Sequence, residues 1–172
     1  MVTNDELLQE LEQEAHTTRR VLGRVPEDQL GWRPHEKSMT LGQLAMHVAS
    51  IPGAIAELSM HPTFDVKTEI PRPAATSVAE LLARLDESVA QAKAILREMD
   101  DAALLSPWRM VDGDQEVAVI SRAALLRSIM LNHWYHHRGQ FTVYLRQTGS
   151  LVPAIYGPSA DENPFAEIVS RE

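Results

Sequence analysis

Apolar residues return at helical spacing in four separate segments, and this feature most narrows what the chain can become. Leu7, Leu8, Leu11, Ala15, Thr18, Val21 and Leu22 recur through the first, near residues 4–22. Leu41, Leu44, Val48, Ile51 and Ile55 mark a second near 40–60, and Val78, Leu81, Leu82, Leu85, Val89, Ala92 and Leu96 a third near 77–99. The fourth, near 121–147, carries Ala123, Leu126, Met130, Phe141 and Tyr144. Three of the segments open on a hydroxyl residue followed three positions later by Glu or Gln: Thr3 with Glu6, Thr40 with Gln43, and Ser77 with Glu80. That spacing lets each side chain satisfy an otherwise unpaired backbone N–H of the first turn. Helices this long, each with one apolar stripe, can bury their stripes only against one another. The pattern therefore predicts an all-α fold, a four-helix bundle, in a single domain spanning residues 1–172 with no internal repeat.

The connections read as loops. Trp32 and Pro34 lie in a polar stretch before the second helix, and Pro62, Pro71 and Pro73 punctuate residues 62–76. Asp112-Gly113, flanked by Val111 and Val117, permits a short hairpin between residues 106 and 119. Gly149 is expected to stop the fourth helix. Beyond it, Pro153, Gly157, Pro158 and Pro164 predict a non-helical segment wrapped over the bundle, with Asp161 and Glu162 solvated.

Charge and composition remove several functions. A net charge of −8 and a pI near 5.3 would repel a phosphate backbone, and no Lys/Arg cluster offsets this, so no nucleic-acid partner is expected. No apolar run reaches the roughly 20 residues of a membrane span, and the start, with Asp5 and Glu6, is acidic. The expectation is a cytoplasmic protein with no membrane partner. The absence of cysteine rules out thiolate ligands from the chain, so any metal must be held by nitrogen or oxygen.

The histidines supply the chemistry. His133 and His137 fall within about 30° of the middle of the fourth helix's stripe, where they replace apolar residues, while His136 lies about 100° away. Two buried imidazoles cost about 1–3 kcal/mol each unless hydrogen-bonded or ligated. Their i, i+4 spacing lets both grip one ion. A third ligand must come from a facing helix, and His47, halfway along the second, is the best placed. Three neutral imidazoles suit Zn, Ni, Fe or Cu and leave a coordination position open. From spacing alone, this site and a pair of core histidines remain alternatives. His16 could be a fourth ligand, a support for a ligand or a surface residue; His35 and His61 are expected in solvent. Asn132 and Gln140 could orient an imidazole through its other nitrogen. Gly139, costly inside a helix, suggests a close helix approach.

These residues also carry a resemblance. His133-Trp134-Tyr135-His136-His137-Arg138-Gly139-Gln140 with Tyr144-Leu145-Arg146 resembles the final-helix motif of the DinB-like superfamily. The run from Trp32-Arg33-Pro34-His35 through Leu44 to His47 resembles that family's entry into its second helix, and Val152-Pro153 with Tyr156-Gly157-Pro158 its C-terminal segment. The resemblance implies a metal-binding four-helix bundle with His47, His133 and His137 as ligands of a divalent ion, Zn, Ni or Fe foremost, and His136 outside the set. It further implies a small-molecule substrate, with a low-molecular-weight thiol among the candidates, and a homodimer. The implied reaction is metal-dependent S-transfer from such a thiol or hydrolysis of a small molecule; the alternative is a non-catalytic metal-binding module.

Overall fold

The computed structural model describes residues 3–165. Helices α1 (Asn4–Leu22), α2 (Leu41–Met60) and α3 (Val78–Glu98) fall where the apolar stripes placed them. A short α4 (Asp101–Leu105) follows, capped by Asp100. The fourth long helix changes its winding along the way: α5 (Arg122–Leu125), then a π-helical stretch over Leu126–Asn132, then α6 (His133–Gln147). Within the wider winding Leu126, Met130 and Leu131 all face the core cluster.

Two of the three capping boxes form in full, at Thr3/Glu6 and Thr40/Gln43. At α3 the reciprocal half shifts by one residue. Ser77 accepts from the Glu80 N–H, but the Glu80 carboxylate takes the Thr76 N–H and hydroxyl, both at 2.7 Å. α6 ends as Gly149 predicts: that glycine adopts φ 79, and the Ser150 N–H closes on the Leu145 carbonyl at 2.9 Å.

Beside the helices lies a small sheet. The hairpin at Asp112-Gly113 is present, joining β2 (Pro107–Asp112) to β3 (Gln115–Ser121), with Gly113 at φ 59. The 62–76 connection, expected as loop throughout, contributes β1 (Thr63–Asp65), parallel to β2, giving the order β1-β2-β3. Trp108 of β2 is buried, stacks on Phe64 and donates to the Leu58 carbonyl, docking the sheet at the end of α2.

One contiguous apolar cluster joins the four long helices, and α2 runs through its middle, buried on most of its circumference. α2 contains Pro52, which has no N–H to give the Val48 carbonyl four residues earlier. At the same level α3 comes unusually close. Gly53 donates to Ser88 Oγ at 2.8 Å, and Ser88 in turn donates to the Ser50 carbonyl at 3.1 Å. A methyl group at Gly53 would stand 2.7 Å from Gln91 Oε1 and 2.9 Å from the Ser88 carbonyl oxygen.

The C-terminal segment does wrap over the bundle, but Asp161 and Glu162 are not idle solvated charges. Asp161 pairs with Arg146 at 2.5 Å and accepts from the Val152 N–H. Glu162 accepts from the Ala154 N–H and pairs with Arg20 and Arg24 of α1. Each carboxylate thus satisfies backbone donors of a segment that has no regular structure to do so.

Two glycines give opposite expectations. Gly53→Ala should lower stability by about 1–3 kcal/mol, since backbone atoms of α3 must move. Gly139 has open space where a side chain would stand, so Gly139→Ala should raise stability by up to about 1 kcal/mol. Thermal unfolding of the two variants checks both signs, and a stabilised Gly53→Ala protein would contradict the close packing of α2 on α3.

Candidate metal centre

The three histidines come together. His133 and His137 lie one turn apart on α6, and His47 faces them from the second turn of α2; all three are half-buried. The Nε2 atoms of His47 and His133 are 3.3 Å apart, and a nitrogen from each of the three rings lies within 4.8 Å of the others. His137 is oriented from behind: its Nδ1 meets Gln140 Oε1 at 2.9 Å. With Nδ1–H donating to that amide, the Nε2 lone pair is left for a ligand. Among the described residues no carboxylate joins this group.

The remaining histidines stand outside it. His136 is exposed, its ring 4.9 Å from that of His137. His35 and His61 are exposed beside their prolines. His16 is exposed too, at a cleft of about 410 Å³ between α1 and α3 that contains none of the three clustered rings. Asn132 is exposed and makes no side-chain hydrogen bond among the described residues, so Gln140 alone fills the orienting role. The close helix approach expected at Gly139 is absent; that position opens to solvent.

Two contacts hold the α6 histidines in place, and sequence reasoning singled out neither. The Trp134 indole donates to the Val48 carbonyl at 2.8 Å, the acceptor that Pro52 leaves without a helical partner. Since Trp134 follows His133 and Val48 follows His47, one hydrogen bond sets both in register. A proline four residues after Val48 was the available signal. The second contact is Arg138, which follows His137 and is buried at 1% exposure. It pairs with Glu14 of α1 at 2.5 Å, donates to Thr18 Oγ1 at 3.2 Å and to the Tyr156 hydroxyl at 2.6 Å, and lies 5.3 Å from the ring centres of both Tyr135 and Tyr156. Tyr156 therefore ties the C-terminal segment to α1 and Arg138.

Residues 1–166 match the DinB family. A relative from Bacillus subtilis (strain 168), the uncharacterized protein YrdA, is 31% identical over 163 residues, covering 93% of this chain and 92% of the relative. The chain belongs to the DinB family. Solved structures share the fold: a DinB-like protein of Bacillus cereus ATCC 10987 is 24% identical with a TM-score of 0.69, covering 88% of this chain and 97% of that one. YfiT of Bacillus subtilis, a four-helix bundle of unusual topology, is 18% identical with a TM-score of 0.63, covering 87% and 91%.

The electrostatics of this DinB-family site favour neutral imidazoles. Burial, reinforced by His137, His133 and the Arg72 guanidinium, pulls His47 down to about 4. His133 is lowered by burial and by His137 and His136. His137 is also lowered, by burial first, with Gln140 opposing and His136 and Arg72 adding. Neutral rings are what a metal requires.

The same shifts fix a pH dependence for the metal-free protein. In the unfolded chain these groups titrate near 6.5, so acid protonates the unfolded state first and draws the equilibrium toward it. Stability should be full above about 6.5 and fall as pH drops toward about 4, the value for His47. Thermal unfolding in the presence of chelator between pH 7.5 and 5 should show this loss, and His47→Gln should make it shallower. A midpoint that rises toward pH 5 would contradict the assignment.

Proposed function

We propose that this protein is a metal-dependent enzyme in which His47, His133 and His137 hold one divalent ion, Zn, Ni or Fe, for hydrolysis of a small molecule. The 3.3 Å separation of the His47 and His133 nitrogens carries the reading. Ligands at about 2.0–2.1 Å from a tetrahedral ion stand about 3.3 Å apart, the edge of that tetrahedron. A shared ion also answers why half-buried imidazoles face one another with a single possible hydrogen bond between two of them.

Bound there, a divalent ion supplies Lewis acidity, lowering the pKa of water or of a small thiol so that a nucleophile exists near neutral pH. The chain does the rest. Burial keeps the rings unprotonated, Gln140 selects the His137 tautomer, and Trp134 and Arg138 stop α6 from rotating the two histidines away from α2. Three protein ligands leave an open position, the arrangement of catalytic rather than structural sites. The description of the 18% identical YfiT as a probable metal-dependent hydrolase supports the same chemistry.

Replacing His47, His133 or His137 by Ala should each remove most of the bound metal, whereas His136→Ala and His35→Ala should leave it stoichiometric. Metal analysis after mild chelation reads this directly, and retention by any of the first three overturns the ligand set. With Co(II) bound, addition of 2-mercaptoethanol should leave the spectrum without a thiolate charge-transfer band at millimolar concentration. A strong band there would replace water by a thiol as the activated nucleophile.

A further inference from the structure

The connection from β1 to α3 carries Arg72 past the first turn of α2, and its backbone is held there by several independent contacts. Arg72 sits between Pro71 and Pro73, a flanking pair that confines the local chain to extended backbone. Its carbonyl accepts from Gln43 Nε2 at 3.3 Å, and Gln43 lies one turn before His47 on α2. Three residues on, the Ala75 N–H donates to the Gly42 carbonyl at 3.2 Å, and a methyl group at Gly42 would come within 3.2 Å of the Ala75 oxygen. The strand of chain bearing Arg72 is thus fastened to the first turn of the helix that carries His47.

The guanidinium itself is uncommitted. Eight other arginines sit in ion pairs: Arg19, Arg20 and Arg24 of α1, then Arg84, Arg109, Arg127, Arg138 and Arg146. Arg72, exposed, has no carboxylate in reach and makes no side-chain hydrogen bond among the described residues. Its charge bears on both His47 and His137. In a chain of net charge −8, an arginine left unpaired beside a triad that contains no acid sets a local field of the opposite sign.

We propose that Arg72 is an anion-recognition residue at the mouth of the three-histidine site, and that the small molecule acted on there carries a carboxylate. Resting on the metal reading above, the inference names the substrate class for it. Three imidazoles leave a divalent ion with its full double charge, and the guanidinium adds another, so an anionic substrate meets no like charge on the way in. The planar fork of an arginine matches a carboxylate through two parallel hydrogen bonds. With the ion taken up by the reacting group, the guanidinium alone faces the substrate's second group, and its one positive charge is neutralised by one carboxylate.

Two hydroxamates test this, since both can bind the metal and only one has a second charge: succinic monohydroxamate and the neutral butyrohydroxamate. The protein is first loaded with Co(II), its metal content measured, and each probe titrated by the visible spectrum. Wild-type protein should bind the carboxylate-bearing probe roughly tenfold more tightly than the neutral one. Arg72→Gln should keep its cobalt and its affinity for butyrohydroxamate while the ratio falls to about one. Arg72→Lys should keep part of the preference, as a point charge without the fork. A ratio near one in cobalt-loaded wild-type protein, or a ratio unchanged in Arg72→Gln, overturns the anion subsite and leaves the metal centre standing. Wild-type protein that takes up no cobalt overturns the metal centre and the subsite with it.

Discussion

A proline in the middle of α2 governs how this molecule is assembled. Pro52 cannot donate to Val48, and a buried carbonyl without a partner costs on the order of 1–3 kcal/mol. The indole of Trp134 satisfies it. A tryptophan reaching across from α6 for one particular carbonyl fixes the axial register of two helices, which apolar packing by itself leaves free to slide. His47 and His133 are the immediate neighbours of the two bonded residues, so the bond that repairs the helix also sets the distance between the imidazoles. The π-helical stretch ends where His133 begins, so the regular winding that places His133 and His137 one turn apart starts at the site itself.

α6 repeats this arrangement one turn later. His137 is followed by Arg138, as His133 is by Trp134, and each ring that faces α2 has beside it a side chain anchored elsewhere. Arg138 is a buried cation balanced by Glu14, two tyrosines and Thr18, with only its Nε unpartnered. Removing one member of such a pair strands the other, at a cost of about 3–5 kcal/mol. Its value to the fold lies in direction: a charge with one place to go forbids rotation of the helix that presents the histidines.

The bundle was legible because its evidence is local and periodic. Stripes of Leu, Val and Ile at helical spacing, opened by Thr3, Thr40 and Ser77, declare helices within single segments of chain. The histidines were legible for the same reason, His133 and His137 through i, i+4 spacing and His47 through its place on the facing helix. What stayed hidden depends on partners distant in sequence. β1 is three residues long, too short for alternation to register, and its partner β2 lies more than forty residues away. The bond from Trp134 to Val48 joins residues 86 apart in sequence, and only Pro52, four residues after Val48, marks the orphan carbonyl. Arg72 sat in a proline-rich loop with no pattern around it, and its place beside the histidines is set by Gln43 and Gly42 from another element. Gly139 misled in the opposite sense, because a glycine in a helix signals close approach only when something approaches.

The proposed function rests on three imidazoles from two helices sharing one ion. X-ray absorption at the metal edge of zinc-loaded protein tests this most directly, since imidazole rings give a distinctive multiple-scattering pattern that reports their number. The account predicts three imidazole nitrogens at about 2.0–2.1 Å with a light atom in the remaining position. A spectrum with fewer than three imidazoles, or a first shell made of carboxylate oxygens, would contradict it.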